Sequence, residues 1–191
     1  MLIGTIISSY SQVATLIQDL SGCDSTFLKK SLKNNEMSTA INDFYKSGLS
    51  ENGYEKPIEL SDSGIELNRF IVKYINFDKY GENIEGFPTG QYYFWGFETK
   101  QPIKQVVEAL SKKINLIKAS NHSYIYNPEY RNSSKDAWQK NKSALAGVIL
   151  DKNSAEKLFI LESTEDGGTS IFCTIQGMVV DKDLRSVGLM Q

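Results

Sequence analysis

The stretch GQYYFWGFET, residues 90–99, sets Tyr92, Tyr93, Phe94, Trp95 and Phe97 within six positions. Read as a strand, it sorts its side chains by parity. Tyr93, Trp95 and Phe97 share one face, and Tyr92, Phe94, Gly96 and Glu98 share the other. The first face is wholly aromatic and suits burial under a layer of helices. The second is mixed and ends in a charge. The expectation is a strand whose odd-numbered rings are interior scaffolding. A glycine within a strand marks a close approach by another backbone or by a ligand. Any binding by this strand is therefore expected on the side of Tyr92 and Gly96.

Two helical pieces are available to cover the aromatic face. Over 102–114, Pro102 suits a first helical turn, and Ile103, Val106, Val107, Leu110 and Ile114 recur at helical intervals. Residues 1–48 supply the other piece. Ile3, Ile6, Ile7, Tyr10, Val13, Ala14, Ile17 and Leu20 form one apolar stripe, stopped at Gly22. Asp24 or Ser25 is placed to cap a short helix carrying Phe27, Leu28 and Leu32. Ser38 is placed to cap a third, with Ala40, Ile41, Phe44 and Tyr45 on one side and Gly48 at its end. Residues 49–64, punctuated by Gly53, Pro57 and Gly64, read mainly as loop.

The strands decide the class. In 65–80, Phe70, Val72 and Tyr74 alternate with Ile71, Lys73 and Ile75, and Lys73 marks the wetter face. A strand leading into helix 102–114 would suit a parallel βαβ unit, but no second strong helix comes after it. The chain continues instead with NLIKASNHSYIYN, SALAGVIL, AEKLFILEST and TSIFCTIQGMVV. The last three are separated by the turn-like DKNS and EDGG, which favour antiparallel hairpins. The predicted fold is α+β: an antiparallel β-sheet with one packed helix at about 102–114 and an N-terminal helical segment, 1–48. The sheet-containing body is 65–191, and the 191 residues form a single domain. At this length roughly 70% of the unfolded chain's surface can be buried, enough for a core without metals.

Composition excludes more than it assigns. The net charge is −2, and the basic residues are 18 Lys and only Arg69, Arg131 and Arg185. Nucleic-acid binders present a basic stripe and use Arg for bidentate contacts, so no nucleic-acid partner is expected. No apolar run reaches the length of a membrane span, so no integral membrane segment is expected. The opening MLIGTIISSYSQVA lacks the charged start and cleavage site of a signal peptide. Cys23 and Cys173 are the two cysteines and the candidate disulfide. A bridge between them would imply an oxidising compartment, periplasmic or secreted.

No sequence pattern for nucleotide, zinc or nucleophile chemistry appears, and no metal or cofactor is expected. His122 is the single histidine. Paired with Cys173 it would be a formal nucleophile and base. Cys173, however, alternates with Ile171 and Ile175, a setting that suits a structural thiol or a bridge. Glu162, Glu165 and Asp166 lack the ligand order of a calcium loop and read as a hairpin tip. The sequons at Asn121, Asn132 and Asn141 are near chance for this composition. The segment SYIYNPEYRNSSKDAW gathers Tyr124, Tyr126, Tyr130, Arg131 and Trp138, residue types that dominate interface hot spots. The expectation is a non-catalytic protein-binding domain that grips a protein partner through those five residues. An exported bacterial inhibitor or toxin-immunity protein is the specific form. The alternatives are a small-ligand protein or enzyme with a pocket lined by Tyr92, Trp95, His122 or a carboxylate, and a structural subunit that packs through residues 1–20.

Overall fold

The structure, a computed structural model, describes residues 12–62, 64–80, 88–143 and 150–191. Three helices open it: α1 (Gln12–Leu20), α2 (Thr26–Ser31) and α3 (Asn35–Ser47). Helix α1 buries Val13, Ala14, Ile17 and Leu20, the single stripe that helical spacing requires. The earlier part of that stripe, Ile3 to Tyr10, lies outside the described residues. Helix α2 turns Phe27 and Leu28 inward, but Leu32, expected beside them, sits at the C-cap and is 42% exposed. The cap of α3 is Asn34 rather than Ser38. Its Oδ1 accepts from the N–H groups of Glu36 and Met37 at 3.0 and 3.1 Å, satisfying donors that the helix leaves free. Ser38 therefore lies inside the first turn. Gly48 ends the helix at φ 72°, as its position suggests.

Strand β1 (Tyr54–Asp62) corrects the loop expected over 49–64. Pro57 signals a break, yet β1 is an end strand and its pairing slips between Pro57 and Leu60. A missing N–H is tolerated at such an irregular edge. Strands β2 (Ile65–Asn76), β3 (Gln91–Thr99), β4 (Ile117–Lys118), β5 (Ser123–Arg131), β6 (Gln139–Lys140), β7 (Ala155–Ser163) and β8 (Thr169–Gly177) complete the sheet. All its pairings are antiparallel, in the order β1-β2-β3-β8-β7-β5-β4, with β6 also pairing with β5. The β7–β8 hairpin turns over EDGG, as expected. The strand expected at SALAGVIL falls largely outside the described residues. A 3-10 turn, Phe77–Lys79, follows β2, and α4 (Ile103–Leu110) follows β3. The strand expected to run on to Val180 stops at Gly177, and an unexpected helix α5 (Asp181–Val187) takes its place.

The five described helices all pack on one face of the sheet. The core there joins Val13, Ile17 and Leu20 of α1, Phe27 of α2, Ile41 and Phe44 of α3, Val106 and Leu110 of α4, and Leu184 of α5. Against them stand the odd-numbered rings of β3, with Trp95 and Phe97 fully buried. Phe27 meets Phe97 edge to face at 5.6 Å. In β8, Cys173 lies beside Trp95 on one side and Phe159 on the other. It forms a disulfide with Cys23, the two Cα atoms 5.4 Å apart. The bridge ties the α1–α2 connection to the middle of the sheet. Its closed loop spans 150 residues of separation, which in the chain-entropy account stabilises by up to about 5 kcal/mol.

Candidate functional site

Strand register builds the second face in transverse rows. The first row runs Ile75, Tyr92, Gln176, Glu156 across β2, β3, β8 and β7. The next runs Lys73, Phe94, Thr174, Leu158, and the third Ile71, Gly96, Phe172, Ile160. Buried residues of this face, among them Ile71, Tyr92, Leu158 and Phe172, stand outside the helix-packed core. Tyr92, Leu158 and Phe172, with Ile75, Phe94 and Ile160, line a hollow of about 400 Å³, within the roughly 300–1,000 Å³ range of small-molecule sites. Phe77 and Pro88 close its end beside Tyr92, and Glu162 stands at the far rim.

The lining is mostly apolar and rich in rings. Phe77 meets Tyr92 edge-on at 4.9 Å, Tyr92 lies 6.5 Å from Phe94, and Phe94 lies 6.4 Å from Phe172. Gly96 contributes no wall. A Cβ built there would fall 2.1 Å from the Ile171 carbonyl oxygen, and its φ of 150° is one that glycine tolerates. The close approach expected at this glycine is thus by the β8 backbone.

Three polar side chains converge on the first two rows. Glu156 is 2% exposed; its Oε1 accepts from Asn141 Nδ2 and its Oε2 from Gln176 Nε2, each at 3.1 Å. No Lys or Arg among the described residues pairs with it. Burial pushes its pKa above the ordinary carboxylate value, outweighing the two amide hydrogen bonds that lower it. Burial raises the Tyr92 hydroxyl as well, helped by the charge of Glu156. Thr174 is 3% exposed and its Oγ1 has no hydrogen-bond partner among the described residues. Lys73, the cation of the lining, is drawn towards Glu55 and Glu98, with Nζ 3.8 and 3.9 Å from their carboxylate oxygens.

The five residues expected to bind a partner do not share a face. Tyr124 and Tyr126 pair with Leu161 and Phe159 and lie half-buried against the helix-side core. An irregularity between Tyr126 and Glu129 reverses the parity, so Tyr130 pairs with Glu156 on the hollow side. Arg131 returns to the helix side, where it is 3% exposed. Its guanidinium grips Asp183 of α5 through two bonds of 2.9 and 2.6 Å and also donates to the Met178 carbonyl. The ring of Trp138 lies 4.9 Å from that guanidinium and 5.2 Å from Lys157 Nζ. Arg131 is therefore engaged inside the fold. Asp183 is 52 residues away in sequence, so nothing local in the segment announced the pair.

Of the residues proposed for a pocket, Tyr92 and a carboxylate line the hollow, while Trp95 is interior and His122 is exposed in the turn before β5. Sequence reasoning missed Glu156, Thr174 and Gln176. A signal existed in AEKLFILEST: Leu158 and Ile160 on one parity and Phe159 and Leu161 on the other make both faces apolar. Asp166 accepts from the Thr164 hydroxyl at the hairpin tip, and that bond holds its pKa low. Among the described residues no cluster of His, Cys, Asp or Glu is arranged to hold a metal, and no helix is long and apolar enough to cross a membrane. Comparison with known protein families, with curated proteins and with solved structures returned no match to this chain.

Proposed function

We propose that this chain is a non-catalytic binding protein of an oxidising compartment, and that it holds a small ligand in the hollow of its sheet. The observation that carries the reading is the apolar hollow of about 400 Å³ onto which Glu156, Thr174 and Gln176 converge. A large apolar pocket with a few converging polar groups is the usual form of a small-molecule site. The Cys23–Cys173 disulfide supports periplasmic or secreted residence, since such bridges persist where thiols are not kept reduced. A neutral solvatochromic dye tests the site. It should bind once per chain, lose binding in Ile160→Arg, and keep it in Tyr126→Ala. Absence of saturable binding, or equal loss in both variants, defeats the reading.

A protein partner is the second reading, with an exported inhibitor or toxin-immunity protein as its specific form. Tyr124, Tyr126 and Tyr130 remain half-exposed on β5, which favours it. Cross-linking in the native host tests this form. A specific partner whose capture depends on those tyrosines would support it, and capture unaffected by their replacement would not.

A further inference from the structure

The chemistry of the hollow selects its ligand, an inference that rests on the small-ligand reading above. Folding alone leaves two buried groups there unaccounted for. Glu156 is a carboxyl group deep in the first row, supported by two amide donors but by no cation among the described residues. Thr174, one row further in, carries a hydroxyl without a partner among the described residues. A buried polar group left unpaired is costly, and a buried unpaired charge costs more. Both sit beside aromatic walls.

We propose that the hollow takes an amphipathic alkylammonium, its nitrogen held at the Glu156 and Tyr92 end and its hydrocarbon chain laid along Phe94, Leu158 and Phe172. The positive nitrogen supplies the counter-charge that Glu156 lacks. Its N–H groups give the Thr174 hydroxyl a donor. The Tyr92 ring, which lines the same end of the hollow, adds the attraction of an aromatic quadrupole for a cation placed over it. The apolar second and third rows then receive the chain, which fixes the ligand's orientation. Other classes fit less well. A fatty acid would set a second carboxylate against Glu156 and Glu162, with Lys73 already drawn to Glu55 and Glu98. A neutral hydrocarbon would leave Glu156 and Thr174 as they are.

Calorimetric titration of the whole chain with octylammonium, octanol and octanoate provides the test. Octylammonium should bind at one site about tenfold more tightly than octanol, and octanoate more weakly than either. In Glu156→Gln that preference should vanish while octanol binding persists. Thr174→Val should weaken octylammonium about threefold. It should also keep or raise thermal stability, because it removes an unpartnered buried hydroxyl. Should Glu156→Gln not fold, Thr174→Val and nuclear Overhauser contacts in the native chain decide the matter. The methylene next to nitrogen must lie against the Tyr92 ring. Contacts from it to Ile160 and Glu162 instead would reverse the orientation and overturn the proposal. Equal binding of all three probes removes the cation preference but leaves a ligand-binding hollow. If none of them binds in the hollow, both readings fall.

Discussion

The two faces of this sheet are built from the same strands and do opposite things with them. On the helix side, Trp95, Phe97, Phe159 and Cys173 pack against three N-terminal helices, α4 and α5, and one disulfide clamps the layers together. On the other side, Phe94, Leu158, Phe172 and Thr174 line a hollow that no other described residue fills. Adjacent residues in one strand, Phe94 and Trp95, therefore have different work. The lesson is that aromatic density by itself does not mark a site. What marks it is rings that face a volume no other described part of the fold fills.

The contrast is sharpest in the clamp. Removing the bridge with Cys23→Ala and Cys173→Ala should lower stability by up to about 5 kcal/mol, measured by denaturant unfolding. Dye binding in the hollow should survive below the new transition. A loss under about 1 kcal/mol would mean that the helix layer holds without it.

Truncating neighbours of opposite parity comes next. Trp95→Ala should cost about 3–5 kcal/mol, the range for a large ring deleted from a filled core. Phe94→Ala should cost about 1 kcal/mol, because its ring is only half-buried at the edge of a hollow. Equal costs would erase the distinction between the faces.

The smallest effects are in pH, and the two faces should respond with opposite sign. Burial raises the pKa of Glu129, on the helix side, but Lys140 and Lys157 outweigh it and the net shift is downward. Its stabilisation is therefore present above its ordinary value of 4.5 and lost as pH falls through the lowered folded value. Glu156 is raised above the same ordinary value of 4.5. Its contribution is present below that value and lost as pH rises through the folded one. Melting temperatures from about pH 4 to about pH 8 should show Glu156→Gln gaining on the native chain and Glu129→Gln falling behind it. Parallel curves would show that Glu156 is no more burdened by burial than Glu129.

Much of the architecture could be read from the chain. Alternation in 65–80 and 90–99 assigned the faces of β2 and β3 correctly, because a strand's period of two is a local property of its backbone. Helical spacing found α1 and α4, and the turn EDGG found the β7–β8 hairpin, for similarly local reasons. Propensity misled where context overrode it. Pro57 sits in a strand since an edge tolerates it, and Ser38 lies inside a helix because Asn34 capped it first. The hollow was legible only as a preference for the Tyr92 side of β3.

Local rules thus determined which residues share a face, that the sheet is antiparallel, and that Cys173 points into apolar surroundings. Only the tertiary structure decided that Cys23 meets Cys173, that Arg131 is spent on Asp183, and that Glu156 and Thr174 look into the same space as Tyr92. Those pairings join segments separated by 150, 52 and more than 60 positions. Contacts over such separations depend on strand order and register, which hydrophobic pattern constrains but does not specify.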